Sequence, residues 1–283
     1  MPNLAPAQRA DTEKAKLEGK PMYPEGLFGL DWLRATILPV ALFGIAFFTL
    51  YLRLDGVRVW RAIVLMVAIA IIALLGAKLF SLYTRGWDVR PLSQELRGGL
   101  RYPGAALAIV LLGPFLKRLI LPKLPMTRFL DVLAITVCFS FALVRISCFL
   151  NGCCTGIQCD AGYCISFPKG SMAWYVQYQA GALADPSHDS HPVLPLNLLF
   201  MVGSFAVGLF LMWFDAKRSY NGQLALLYLF LHDGIKGLLE ALREPYVAEL
   251  QITSLSISAA GLAGLLLIAF IRRRRKDKGA GGP

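Results

Sequence analysis

The sequence predicts an all-α, polytopic membrane protein with about seven transmembrane helices, and three observations predict it. The 283 residues are 56% hydrophobic with a mean hydropathy of +0.56, too apolar for a soluble chain of this size. Seven runs are apolar and long enough to cross a bilayer, at about 34–53, 62–84, 103–121, 129–150, 193–214, 223–242 and 252–271. Lysine and arginine are distributed unevenly between alternate connecting segments. No long soluble insert separates the runs and no internal repeat stands out, so residues 34–271 read as one seven-helix membrane domain.

Residues 1–33 are polar and mixed in charge. They lack the short apolar core and small-residue cleavage site of a secretory signal peptide. Tyr23, Leu27, Phe28 and Trp32 suit an interfacial position before the first span. The tail 272–283 holds Arg272, Arg273, Arg274, Arg275, Lys276 and Lys278, which assigns it to the cytoplasm. Seven crossings then put residues 1–33 outside. The inside segments hold Arg53, Arg58, Arg61, Lys117, Arg118, Lys123, Arg128, Lys217 and Arg218, whereas 151–192 has only Lys169. Arg9, Lys14, Lys16, Lys20 and the arginines of 85–102 run against this bias. The net charge of +11 is therefore mostly a topology signal, and no nucleic-acid partner is expected.

The second span ends with Gly76-Ala77-Lys78, whose lysine either snorkels to the interface or serves a site. Gly98-Gly99-Leu100-Arg101-Tyr102-Pro103-Gly104 leads into the third span. Its glycines and proline suit irregular backbone near a ligand, or simply a turn.

The fourth span is central. Between Leu130 and Leu150 the only charges are Asp131 and Arg145, and the signature Arg145-Ile-Ser-Cys-Phe-Leu-Asn-Gly-Cys-Cys-Thr-Gly156 closes it. A rise of ~1.5 Å per residue makes this run about 31 Å long and sets Arg145 roughly 9 Å below Asn151. A guanidinium cannot shed its proton, so at that depth it needs an anion, carbonyls or water. A phospholipid headgroup phosphate fits; a carboxylate from a neighbouring helix is the alternative.

Residues 151–192 form the longest non-spanning segment and are expected outside. Phe167-Pro168-Lys169-Gly170-Ser171 reads as a turn, followed by a short interfacial helix. His188, Asp189 and His191 are close in sequence, yet such spacing in a polar loop reads as solvated, and no metal ligand is assigned. In the sixth span Asp233, Lys236, Glu240 and Arg243 form one helical stripe. In hydrocarbon that stripe needs a wet or polar cavity, with Glu240 in salt-bridge reach of Lys236 or Arg145. The second, fourth and sixth spans run in the same direction, so Lys78, Arg145, Asn151, Lys236, Glu240 and Arg243 gather toward one leaflet, the outer one on this topology.

Five of the six cysteines, Cys148, Cys153, Cys154, Cys159 and Cys164, lie within 17 residues. Their spacing matches no familiar zinc or iron–sulfur pattern. An oxidising exterior favours one or two disulfides, Cys159–Cys164 first among them, with a redox or metal role as the alternative. Cys138 reads as packing.

Taken together, these motifs resemble the prolipoprotein diacylglyceryl transferase family from about Gly76 to the tail. The resemblance is carried by Gly76-Ala77-Lys78, Gly98-Gly99-Leu100, the Arg145–Gly156 signature, Phe167-Pro168-Lys169-Gly170-Ser171 with Ala173, His191-Pro192, and Glu240-x-x-Arg243-x-Pro245. It implies a seven-span bacterial inner-membrane enzyme without a cofactor. Such an enzyme moves a diacylglyceryl group from phosphatidylglycerol to the lipobox cysteine thiol of a prolipoprotein, releasing glycerol 1-phosphate. Departures from the family pattern are local. Pro103 stands at the family's histidine, Lys78 and Lys236 at arginines, and Cys148 and Cys153 at an asparagine and a glutamate of the signature. Leu194-Pro195-Leu196-Asn197 replaces a glutamine-leucine-tyrosine-glutamate run.

On this reading Arg145 and Arg243 hold the lipid phosphate and Lys236 assists. Asn151 hydrogen-bonds the glycerol or phosphate, and Glu240 fixes the cations. No general base is assigned. The alternatives are a non-enzymatic paralogue binding anionic membrane lipid and a membrane thiol–disulfide protein using the 148–164 cysteines.

Overall fold

A computed structural model describes residues 32–84, 102–183 and 187–280. The expectations placed on residues 1–31, Arg85, Arg90, Arg97 and Gly98–Arg101 lie outside it. The described residues form eight α-helices: α1 Trp32–Leu54, α2 Val59–Thr84, α3 Tyr102–Ile120, α4 Met126–Leu150, α5 Met172–Gln179, α6 Leu196–Asp215, α7 Gln223–Glu240 and α8 Ala248–Ala280. Among the described residues there is no β-strand, only three isolated antiparallel bridges.

Among the described residues, four helical stretches are long and apolar enough to cross a membrane: Val59–Tyr83, Met126–Leu150, Leu196–Asp215 and Ala248–Arg274. The chain is thus a multi-pass, all-helical membrane protein. Among the described residues the count of clear spans is four, where the apolar runs predicted about seven. In α1 the described apolar stretch is only Leu38–Leu54. Helix α7 carries Asp233, Lys236 and Glu240 within its 18 residues, more charge than a lipid-facing span tolerates.

The chain divides into two compact units. One comprises residues 42–136 and 219–225. Its core gathers Phe48, Leu52, Leu65, Leu121, Leu124, Phe129 and Val132. Lipid tails are as apolar as leucine, so close packing holds such helices together. Gly76 and Gly104 supply the closest approach. A Cβ on Gly76 would lie 2.5 Å from the Gly104 carbonyl oxygen, and one on Gly104 would lie 2.3 Å from that of Gly76. Gly104 is therefore the crossing point of α2 and α3. Asp131, fully buried, accepts from the Gly222 N–H at 2.7 Å and the Ala225 N–H at 2.9 Å. A carboxylate thus satisfies the unpaired amides at the start of α7.

The other unit comprises residues 1–41, 137–218 and 226–283. Here α8 meets α7 through small residues: a Cβ on Gly237 would lie 2.7 Å from Leu255, and one on Gly261 2.8 Å from the Phe230 nitrogen. The Ser258 hydroxyl donates to the Phe230 carbonyl at 2.7 Å, tying the same two helices. Helix α6 begins at Leu196, three residues later than the apolar run suggested. Val193 instead bridges to Gln158 and Ile165, and Pro195 takes the N-cap position. Ahead of α5, the Ser171 hydroxyl accepts from the Trp174 N–H at 3.3 Å, an N-cap at the predicted turn.

Candidate functional site

Helix α4 does not end at random. The Gly152 N–H donates to the Phe149 carbonyl and the Cys153 N–H to the Cys148 carbonyl, both at 3.0 Å. With Gly152 in the left-handed region at φ 62°, these bonds make a Schellman motif. In that motif the side chains three positions inside and two positions past the helix end come into contact. Here they are Cys148 and Cys153. Gly152 is held from outside as well, since a Cβ there would sit 2.9 Å from the Phe167 ring.

Cys154 follows with φ 56°, an unusual backbone for a non-glycine residue. Beyond it, residues 155–159 run extended between two partners. The Gly156 N–H donates to the Leu194 carbonyl at 2.8 Å, and the Ile157 N–H to the Leu242 carbonyl at 3.0 Å. Gly156 bridges Arg243 directly. The Asn197 side chain, fully buried, donates to the Cys153 carbonyl at 3.2 Å. Sequence reading saw only a substitution at Asn197; the structure gives it the role of fixing the cysteine turn.

Arg145 projects into this site from the last two turns of α4. It is buried, 9% exposed, and its guanidinium lies over the rings of Phe141 at 4.3 Å and Phe200 at 4.6 Å. Its Nε has no hydrogen-bond partner among the described residues. Among the described residues, no carboxylate from a neighbouring helix forms a salt bridge with it. A permanent cation with an unused donor, set over two aromatic rings, makes Arg145 a candidate for anion binding.

Arg243 pairs with Glu240 at 3.1 Å; the carboxylate is 2% exposed and the guanidinium 23%. This corrects the expectation that Glu240 reaches Lys236 or Arg145, because the turn after α7 folds Arg243 back onto its own stripe. Asp233 and Glu240 are buried and Lys236 is half-buried, while Leu238 on the opposite face is 68% exposed. The stripe therefore faces protein, as its charge requires. Asn151 is half-buried, and its backbone carbonyl accepts from Met172 at 3.4 Å. Lys78 lies in the other compact unit.

Cys159 and Cys164 are joined in a disulfide. Cys148, Cys153 and Cys154 are free thiols, and their sulfur atoms all lie within 4.8 Å of one another. The Arg243 guanidinium reaches the Cys154 sulfur at 3.6 Å. Thiol hydrogen bonds from Cys148 and Cys153, helped by Arg145 and Arg243, hold Cys154 below the ordinary thiol range despite its burial. The same contacts push Cys153 upward. Sequence reading noted the five cysteines of 148–164 and weighed a redox or metal role for them, but did not single out these three. The available signal was a glycine one residue before the second cysteine of a C-x4-C pair at a helix end.

The other polar residues of the 151–192 segment are used structurally. Asp189 accepts from the Lys169 N–H at 3.1 Å, and the His188 carbonyl accepts from the Trp174 indole at 2.9 Å. The His191 backbone is held by the Gln177 side chain at 2.7 Å. Buried His232 on α7, not singled out from sequence, contacts Ser204 at 3.2 Å and packs its ring edge-on to Phe141.

A buried arginine in the last two turns of a membrane-length helix and a second arginine paired with Glu240 belong to an integral-membrane protein. The family model for prolipoprotein diacylglyceryl transferase matches residues 36–271, and the chain belongs to that family. It is 29% identical over 139 residues to phosphatidylglycerol–prolipoprotein diacylglyceryl transferase 2 of Clostridium perfringens, covering 48% of this chain and 49% of the relative. It is 28% identical over 156 residues to the phosphatidylglycerol–prolipoprotein diacylglyceryl transferase of Dehalococcoides mccartyi, covering 53% of each. The chain thus spans about half the length of the curated relatives it matches.

Proposed function

We propose that this chain transfers a diacylglyceryl group from phosphatidylglycerol to the lipobox cysteine thiol of prolipoproteins. In that reaction the bond between the diacylglyceryl carbon and the phosphate oxygen breaks, and a carbon–sulfur bond forms. Glycerol 1-phosphate leaves, and the thiol proton passes to a base or to the phosphate itself. The observation that carries this reading is Arg145, buried in the last two turns of α4 with its Nε unpartnered among the described residues. Its planar guanidinium can give parallel hydrogen bonds to two phosphate oxygens.

Arg243, held by Glu240, supplies the second cation, and Lys236 adds charge from α7. Asn151 closes the headgroup side. Their combined effect is to lower the cost of charge developing on the departing phosphate in a dry site. The reading carries its topology with it. A bacterial plasma-membrane domain of seven spans covers 34–271, residues 151–192 face outward with the site, and the tail 272–283 is cytoplasmic.

A second reading has one observation in its favour. Pro103, at the position of the family's histidine, cannot act as a base. On that reading the chain binds anionic lipid without turnover. Complementation separates the two. Expressed in a bacterium depleted of its own transferase, the chain is expected to restore growth and lipoprotein modification. Failure at matched membrane abundance would move the assignment to the lipid-binding paralogue.

A further inference from the structure

The three free cysteines at the end of α4 are not needed for the proposed transfer, yet the fold takes trouble to assemble them. Cys148 and Cys153 are brought together by the helix-ending hydrogen bonds, and Cys154 turns back toward them at φ 56°. Asn197 pins the peptide between Cys153 and Cys154 through the Cys153 carbonyl. The three sulfurs lie within 4.8 Å of one another. Sulfurs bound to one ion at about 2.3 Å lie roughly 3.8 Å apart in a trigonal or tetrahedral arrangement. Small side-chain rotations cover the difference, with no movement of backbone.

We propose that Cys148, Cys153 and Cys154 form a three-thiolate site for a soft d10 metal ion, and that the ion it fits is monovalent copper. Three arguments select it. Thiolate sets favour Cu(I) and Zn(II) over hard cations. Among the described residues no histidine, carboxylate or further cysteine joins the group, and structural zinc takes four protein ligands. Charge completes the choice. Three thiolates around a monovalent ion leave two negative charges, and the guanidiniums of Arg145 and Arg243 stand within electrostatic reach of the cluster. Arg243, touching the Cys154 sulfur at 3.6 Å, acts as an outer-shell partner. Cys148 is buried while Cys153 and Cys154 are half-buried, so an ion has an entry path from the turn.

The test uses full-length protein in detergent, prepared without oxygen and without a disulfide reductant so that Cys159–Cys164 stays joined, with free thiols counted first. Four are expected: Cys138, Cys148, Cys153 and Cys154. Cu(I) is then titrated against a chromophoric Cu(I) chelator, with Zn(II) in a parallel arm. The expected result is one Cu(I) per chain, a thiolate-to-copper charge-transfer band and a three-sulfur shell by X-ray absorption. Cys153→Ser and, independently, Cys148→Ser should each abolish the band and weaken binding by more than the 10- to 100-fold typical of an outer-shell loss. Cys138→Ser should change neither. Unaltered copper binding in both serine variants would overturn the site, as would no binding to a chain with four counted thiols. A disulfide among the three in protein isolated without oxidant would assign them to redox chemistry instead. Binding of Zn(II) in preference to Cu(I) would refute the three-coordinate assignment. Metal affinity is read without any transfer reaction, so failure here leaves the proposed function untouched, and the converse holds.

Discussion

Arg145→Lys is expected to lower diacylglyceryl transfer about tenfold to a hundredfold, while Lys236→Arg leaves it unchanged or raises it. Both substitutions keep a positive charge, so charge count alone predicts no difference between them. What differs is geometry. The Arg145 guanidinium lies over the Phe141 and Phe200 rings, at 4.3 and 4.6 Å, with its Nε unused. An ammonium can neither stack that way nor reach two phosphate oxygens in parallel. A lost charge-assisted hydrogen bond in a dry site costs roughly 1.5–3 kcal/mol, which is the stated range in rate. Lys236 is a half-buried point charge already, and arginine there restores the form the family pattern carries. Transfer measured in membranes at matched abundance decides it. Wild-type activity in Arg145→Lys would make Arg145 a structural cation.

The second large effect is expected at Gly152, because the whole cysteine turn hangs on it. Gly152→Ala must place a Cβ at φ 62°, at a cost of about 1–2 kcal/mol. That Cβ also lies 2.9 Å from the Phe167 ring and 3.1 Å from the Ser171 side chain, adding roughly 1–3 kcal/mol of overpacking. Gly170 separates the two terms. Its φ is 86°, yet nothing lies within 4 Å of its missing Cβ. Gly170→Ala should therefore lose only the backbone term, and thermal unfolding in detergent should rank Gly152→Ala well below it. Equal losses would mean that the packing of Phe167 against the turn has been overstated.

These two sites also mark where sequence reading succeeds and where it stops. Arg145 was legible because a permanent charge inside an apolar run is a physical anomaly at any depth, whatever surrounds it. The apolar runs themselves gave the helices nearly to their ends. Periodicity put Asp233, Lys236 and Glu240 on one face, which the structure turns away from lipid. Helical spacing allowed a ladder of ion pairs within that stripe, Glu240 with Arg243 at i,i+3 among them, but did not say which pair forms. The start of α6 was missed for a related reason: Val193 is apolar, but its backbone is taken by Gln158 and Ile165.

The sequence showed the cysteines of 148–164 as a group, but not that Cys148, Cys153 and Cys154 meet apart from the Cys159–Cys164 disulfide. Spacing motifs catalogue ligands on helices and loops of known geometry, and here the geometry comes from a helix terminus. The pairing of Cys148 with Cys153 follows once Gly152 is recognised as the left-handed residue that ends α4. Cys154 then needs its own unusual φ, and Asn197 arrives from a distant segment. Neither is written locally.

The central claim is that the anion site around Arg145 receives the phosphate of phosphatidylglycerol and works on it. The most direct measurement is transfer by the purified full-length protein, in liposomes, to a lipobox peptide bearing one cysteine. Phosphatidylglycerol is the donor, and phosphatidylcholine is the control. The account predicts a peptide whose cysteine gains a thioether-linked diacylglyceryl group, with glycerol 1-phosphate released in equal amount, from phosphatidylglycerol alone. Folded protein that binds phosphatidylglycerol yet yields neither product would contradict it.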